Sequence, residues 1–176
     1  MKNVPNILTI CRIFMAILVM AIILYADMTS QLVRFVACGI FLLASVTDFF
    51  DGFIARRYGA QSRFGEVFDP LADKMLVLGA FIALLVSGLA SPWAVFLIFS
   101  REFFITGLRA VVATHHVNIS ADLLGKIKSV AQYWAIGCLI LQVLPHFWNQ
   151  LFLWLAVLLT IISGINYVRS YFRAFQ

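Results

Sequence analysis

Residues 32–88 read LVRFVACGIFLLASVTDFFDGFIARRYGAQSRFGEVFDPLADKMLVLGAFIALLVSG. Two long apolar runs, near 32–56 and 66–88, meet at a short polar centre. Each is long enough for the ~20 residues that carry an α-helix across a bilayer. Four more runs of this kind lie near 6–25, 91–113, 122–144 and 149–172. They are too long and too uninterrupted for barrel strands, which read as ~10-residue alternations. Of the 176 residues, 63% are hydrophobic and 12% are charged. An ordinary soluble domain carries about 25% charged residues. The expected fold is therefore all-α: a polytopic membrane protein, a six-transmembrane-helix bundle, in one domain over 1–176.

The connections between runs are short. Asp27 to Gln31, Gly88 to Pro92, and Pro145 to Asn149 are expected as turns at one end, with Trp93 and Trp148 in an interfacial belt beside them. Tyr58 to Arg63 and His115 to Ser120 make the turns at the other end. Short turns make successive helices antiparallel neighbours. Lys2, Arg12, Arg56, Arg57, Arg63, Lys74, Arg109, Lys126, Lys128, Arg169 and Arg173 then gather at the second end. Excess Lys and Arg mark the cytoplasmic side, so both termini and the polar centre are expected there. Arg34 is the exception, and Arg101 falls inside the fourth run. The net charge of +5 follows from this asymmetry and calls for no nucleic acid. Cys11, Cys38 and Cys138 have neither disulfide nor zinc spacing and read as small packing residues. Gly39, Ala44, Gly52, Ala55, Gly107, Gly125, Gly137 and Gly164 are candidates for close helix contacts.

The polar centre carries the chemistry. Asp48 and Asp51 are three residues apart, and Asp69 and Asp73 are four apart, so each pair shares a helix face. Four clustered carboxylates repel one another, and a bound divalent cation with oxygen ligands is the usual reason to tolerate that. Inside a membrane each charge costs about 2.5–3.5 kcal/mol by insertion scales. The bland alternative pairs these aspartates with Arg56, Arg57, Arg63 and Lys74. Gly52 and Gly65 leave backbone open to a ligand, and Arg56 offers a planar fork for phosphate. As bare residues, Gly52 and Ala55 read more readily as packing positions.

The pattern Asp48-x-x-Asp51-Gly52-x-x-Ala55-Arg56-(x8)-Gly65-x-x-x-Asp69-x-x-x-Asp73 resembles the signature of the CDP-alcohol phosphatidyltransferases, and every specified position matches. The resemblance implies transfer of a phosphatidyl group from CDP-diacylglycerol to an alcohol. It implies Mg²⁺ or Mn²⁺, two ions, on Asp48, Asp51 and Asp69, with Asp73 as general base and as a further metal contact. It implies that Gly52, Ala55, Arg56 and Gly65 bind the CDP moiety, and it implies a homodimer in the inner membrane.

Asn6, Thr9 and Arg12 recur every three residues on one helical face. That face either lines the nucleotide pocket or is a helix start with a snorkelling arginine. Together with Arg101-Glu102, Leu108-Arg109 and Gly125-Lys126-Ile127-Lys128, it resembles the branch whose acceptor is sn-glycerol 3-phosphate. A phosphorylated acceptor needs cations beside the metal site. Arg109, Lys126, Lys128, Arg169 and Arg173 are the candidates, though positive-inside bias alone accounts for any of them. Arg101-Glu102 reads as an internal ion pair or a pocket wall, because intramembrane charges tend to pair. Another acceptor, inositol phosphate or serine, is the alternative within the family. A transporter or membrane scaffold is the alternative outside it. A transporter should show matched halves around a midplane site, and no internal repeat is visible.

Overall fold

A computed structural model describes the backbone of residues 4–58, 63–114 and 123–174, and the side chains of 10–47, 71–72, 74–111 and 123–173. The described residues form α-helices joined by turns, without strands. The helices are α1 (Val4–Tyr25), α2 (Gln31–Tyr58), α3 (Arg63–Val86), α4 (Pro92–Thr114), α5 (Leu123–Leu141) and α6 (His146–Ala174). Their bounds follow the apolar runs to within a few residues. This all-helical architecture agrees with a helical membrane protein. Among the described residues, α6 over His146–Arg173 is long and apolar enough to cross a membrane; the apolar stretches Ile10–Tyr25, Gln31–Thr47 and Lys74–Val86 are shorter.

Local chemistry explains where the helices stop. The α3–α4 turn is closed by Gly88, whose φ of 71° lies in the left-handed region. Its N–H donates to Leu85 O at 3.0 Å, and Leu89 N–H donates to Leu84 O at 2.9 Å. This is the paired bonding of a Schellman cap, which a glycine adopts without a Cβ clash. Pro92 then occupies the first position of α4, where its missing N–H costs nothing. The α1–α2 turn is held by Asp27, whose Oδ1 accepts from Thr29 N at 3.0 Å and Thr29 Oγ1 at 2.6 Å. Those bonds hold its carboxyl below the usual carboxylate range. The α5–α6 turn ends slightly earlier than expected. Asn149 already belongs to α6, and its Nδ2 donates back to Leu144 O at 3.1 Å.

Long-range bonds fix which ends coincide. Arg34 Nη1, near the start of α2, donates to Leu141 O at the end of α5 at 3.0 Å. Gln150 Nε2 of α6 donates to Leu89 O at 2.8 Å, and Ser87 Oγ donates to Ile23 O at 3.4 Å. These bonds gather the described turns at one end. Arg34, the apparent exception to the charge asymmetry, is there as a helix cap. It satisfies a terminal carbonyl that would otherwise be orphaned. Of the described lysines and arginines it alone lies at that end. The opposite end holds the start of α1, α3 and α5 and the close of α2, α4 and α6. In the interior α1 packs chiefly on α3 and α2, and α6 on α5 and α4.

The core is built from small side chains. Ala37, Ala44, Ala72, Ala80, Ala83, Ala94, Ala135 and Ala156 are fully buried, and Phe41 and Phe81 are fully buried aromatics. Phe14, Leu32, Phe35, Leu43, Trp93, Phe96, Phe103, Phe104, Val130, Trp134 and Phe147 face outward and are more than half exposed. Large apolar side chains turned outward in such number suit a surface that meets something other than water. The glycine expectation holds only in part. An added Cβ at Gly164 or Gly137 would meet a neighbouring helix, whereas at Gly39, Gly107 and Gly125 it would meet open space. Those three are therefore not contact points within this chain.

Gly88→Ala tests the cap. Alanine at a left-handed φ costs about 1–2 kcal/mol. A fall in Tm of roughly 2–8 °C is expected by thermal unfolding in detergent. An unchanged Tm would show that the cap contributes little.

Candidate active site

The signature straddles the end of α2 and the start of α3, opposite the described turns. Asp48, Asp51, Gly52, Ala55 and Arg56 lie in the last turns of α2, and Gly65, Asp69 and Asp73 in the first turns of α3. Asp51 precedes Tyr58 by seven residues, and Asp69 follows Arg63 by six. At 1.5 Å per residue they stand about 10 Å and 9 Å from their helix ends. Asp48 and Asp73 are each ten residues from those ends, or about 15 Å. Only four residues join the two helices, and α2 touches α3. The four aspartates thus sit on adjacent helices as two pairs of matched depth. Their side chains, with those of Asn6, Thr9, Gly52, Ala55, Arg56 and Gly65, lie outside the described residues. The donor set is entirely carboxylate, which fits a hard cation such as Mg²⁺ or Mn²⁺.

Arg12 stands about 12 Å from the same end, eight residues into α1. It is 1% exposed. Its guanidinium stays within the bundle, so the snorkelling alternative does not hold for this residue.

Beside the motif helices a small pocket of about 20 Å³ is lined by Lys74, Val77, Leu78, Glu102, Lys128, Ser129, Gln132 and Tyr133. Lys74 follows Asp73 directly on α3, so the pocket draws on a helix that carries part of the motif. Lys74 Nζ donates to Thr106 Oγ1 of α4, and Thr106 Oγ1 donates to Glu102 O at 2.6 Å. Lys128 Nζ of α5 donates to Glu102 Oε1. Arg101 Nη1 donates to that same oxygen at 3.2 Å, and its Nη2 donates to Ser163 Oγ of α6 at 2.9 Å. Deeper in, Gln132 Nε2 donates to Thr160 Oγ1 at 3.0 Å, which donates to Ala156 O at 2.6 Å. Hydrogen-bonded chains of this kind are how polar groups survive burial.

The candidate cations separate by environment. Lys128 is 7% exposed and lines the pocket. Arg109, Lys126, Arg169 and Arg173 are exposed and do not line it. Arg109 lies over the Tyr167 ring at 5.3 Å, a cation–π contact. Arg101-Glu102 is both an internal ion pair and, through Glu102, a pocket wall. Reasoning from sequence missed Lys74, Gln132 and Thr106 as residues of the pocket and its bonded frame. Lys74 was visible next to Asp73, but Gln132 and Thr106 carried no signal of their own.

Lysines held at the floor of a pocket beside helix-borne aspartates are the equipment of an enzyme that handles phosphorylated substrates at a membrane. The sequence model of the CDP-alcohol phosphatidyltransferases matches residues 2–162, and the chain belongs to that family. It is an enzyme of phosphatidyl transfer. Several curated relatives are similar over nearly their whole length. The CDP-diacylglycerol–glycerol-3-phosphate 3-phosphatidyltransferase of Rickettsia typhi is 40% identical over 176 residues, covering 97% of each chain. The protein of the same name from Bacillus subtilis is 37% identical over 190 residues, covering 100% of this chain and 98% of its own. That from Rickettsia prowazekii is 39% identical over 175 residues, covering 96% and 95%.

Gly164 lets α6 approach the ion pair. A Cβ built there would lie 3.1 Å from Arg101 Cγ. Gly164→Val should therefore overpack the site and lower stability by about 1–3 kcal/mol. Gly39→Ala, which meets open space, should raise it by about 0.5–1 kcal/mol through helix propensity. Tm shifts of opposite sign are the expected outcome. Equal tolerance of both would mean that Arg101 is not held against Gly164.

Proposed function

We propose that this chain transfers the phosphatidyl group of CDP-diacylglycerol to sn-glycerol 3-phosphate, giving phosphatidylglycerophosphate and CMP. The observation that carries the acceptor is the similarity over nearly the whole chain to relatives named for it, and the buried lysine Lys128, with Lys74, near the signature helices is in keeping with it. A phosphate monoester needs cations that a neutral alcohol does not, and charge-assisted bonds to them are strong. The names of the near-full-length relatives support the same acceptor.

The enzyme works as one catalytic unit with six helices across the inner membrane, and as a homodimer. Outward-facing Phe, Leu and Trp on the helices support the lipid contact. The crowding of cations at the end opposite the described turns supports a cytoplasmic active site. Diacylglycerol chains stay in the bilayer, and the CDP head lies over Gly52, Ala55, Arg56 and Gly65, with Asn6, Thr9 and buried Arg12 alongside. Asp48, Asp51, Asp69 and Asp73 hold two Mg²⁺ or Mn²⁺ ions. When bound, these supply neutralisation of the diphosphate and of the charge that develops on CMP.

Asp73 accepts the proton of the acceptor hydroxyl. That oxygen attacks the phosphorus bearing the diacylglycerol, and the phosphoanhydride bond to CMP breaks. Lys74 and Lys128 hold the acceptor's phosphate so that its hydroxyl faces Asp73. Proximity and charge complementarity do most of the work. Exposed Arg109, Lys126, Arg169 and Arg173 draw anionic substrate and lipid to this face.

Purified protein incubated with CDP-diacylglycerol, metal and a panel of acceptors tests the assignment. Phosphatidylglycerophosphate is the expected lipid product, and glycerol without its phosphate should be a poor substrate. Exclusive use of inositol phosphate or serine would overturn the acceptor and leave the family intact. Excess EDTA should abolish turnover, and either Mg²⁺ or Mn²⁺ should restore it; full turnover in EDTA would remove the metal assignment.

Asp73→Asn should lower turnover by about 10²-fold or more while binding of CDP-diacylglycerol persists. Asp48→Asn and Asp69→Asn should instead raise the metal concentration required. Near-normal turnover of Asp73→Asn would place the base elsewhere.

A further inference from the structure

A second cavity lies at the end away from the signature, where α5 turns into α6. It measures about 130 Å³ and is lined by Leu89, Leu139, Gln142, Leu144, His146 and Asn149. One water needs about 10–15 Å³ of such room, so a group of several atoms fits. The leucines give the cavity an apolar part. The amides of Gln142 and Asn149 and the imidazole of His146 give it a polar part. Asn149 is 5% exposed. Its Nδ2 donates to Leu144 O, which fixes the orientation of the amide. Oδ1 is then left buried with no hydrogen-bond partner among the described residues. A buried acceptor without a donor is destabilising. Gln142 adds a second unfavourable feature. Its φ of 49° lies in the left-handed region, alone among the described non-glycine residues. It follows the last residue of α5, and its N–H donates to Cys138 O at 3.0 Å. Glycine usually holds this place and adopts the conformation with less strain. Strain of this kind gathers at binding sites, and here the strained residue and the orphaned acceptor line one cavity.

We propose that this cavity is a binding site for a phospholipid whose head group carries alcohol hydroxyls. A hydroxyl both donates and accepts. One donates to Asn149 Oδ1, and the amide of Gln142 and the ring of His146 donate back to the head group. No carboxylate lines the cavity, so an ammonium head group would find no counter-charge there. The neighbouring side chains argue for a lipid over a free polyol. Val143 is 71% exposed and Phe147 69%, and Trp148 stands half-exposed beside Asn149. Such residues offer acyl chains an apolar surface, and aromatic side chains favour the membrane–water boundary. The inference rests on the membrane placement proposed above and is independent of the acceptor.

Binding is read directly, without turnover. The full-length protein in detergent, stripped of lipid, is titrated by native mass spectrometry with dioctanoyl phosphatidylglycerol, phosphatidylethanolamine and phosphatidic acid. Glycerophosphoglycerol, the first head group without chains, is the fourth probe. The first lipid carries alcohol hydroxyls, the second an ammonium, and the third an anionic head group without an alcohol. Phosphatidylglycerol is expected to bind about 5-fold more tightly than either other lipid, as for one neutral hydrogen bond. Asn149→Leu removes the acceptor and Gln142→Gly removes the amide. Leu144→Trp fills the cavity from a position that is 40% exposed and keeps both polar side chains. Each variant should bring phosphatidylglycerol to the level of the other lipids. Gln142→Gly should at the same time raise the Tm, because glycine takes the left-handed φ with less strain. Weaker binding with higher stability is a combination that a purely structural glutamine would not give.

Equal affinity for the three lipids overturns the proposal. So does a preference for phosphatidylglycerol that survives in any folded variant, since the lipid then sits elsewhere. Glycerophosphoglycerol bound as tightly as the lipid overturns the lipid as occupant. If Asn149→Leu does not fold, Gln142→Gly and Leu144→Trp carry the same comparison with the same outcomes required. A protein that stays in solution without detergent overturns the membrane placement, and this inference with it. Turnover with glycerol 3-phosphate is measured separately, so the acceptor reading and this inference fail independently.

Discussion

A charge inside an apolar helix bundle must find its partner there. Glu102 lies well within α4, far from the turn loops, and its carboxylate meets Arg101 and Lys128. Breaking such a pair by removing one partner leaves a buried charge uncompensated, which costs about 3–5 kcal/mol. This constraint draws α5 to α4 through Lys128, α6 to α4 through Arg101 and Ser163, and α3 to α4 through Lys74 and Thr106. The helices that line the pocket are thus joined by the polar groups that the pocket needs. Apolar contact alone would leave their rotation about their own axes weakly determined, because their outward faces are as apolar as their inward ones.

That equivalence of faces explains the core. When lipid and interior are equally apolar, burying a large side chain gains little, and helices associate through close packing and polar contacts. Hence alanines fill the centre while Phe103, Phe104 and Trp134 face outward. The buried hydroxyls follow the same rule. Ser45 and Thr160 donate to carbonyls four residues earlier in their helices. In this way they satisfy themselves where water is absent.

The helices were legible because their signal is local: an apolar run of sufficient length, stopped by Gly88, Pro92 or Pro145, needs no knowledge of its neighbours. The signature was legible because Asp48 to Asp73 falls on one helical hairpin, so sequence spacing maps directly onto depth. The pocket was not. Lys74 and Thr106 are 32 residues apart, Lys128 and Glu102 26, and Gln132 and Thr160 28. Which residues meet depends on how each helix is rotated, and uniformly apolar helices carry little periodicity to reveal it. The same deficit made Gly39, Gly107 and Gly125 resemble Gly164, although Gly164 alone among them meets a side chain from another helix.

Arg34 and Lys128 show why counting positive charge does not locate function. Both lie on helices that the sequence marks out equally well. Arg34 is consumed in capping α5 at the turn end, whereas Lys128 faces a pocket. The difference lies in what stands opposite. A backbone carbonyl at a helix end offers a partial charge that one guanidinium satisfies. Glu102 offers a full charge, which Arg101 and Lys128 share. In a low-dielectric interior a charge is tolerated only beside its counter-charge. The four aspartates on α2 and α3 pose the same requirement, which divalent ions would meet. Glu102 therefore ties α5 to α4 by charge, and Arg101 carries the tie on to Ser163 of α6, which is how so apolar a chain keeps these charges within its bundle.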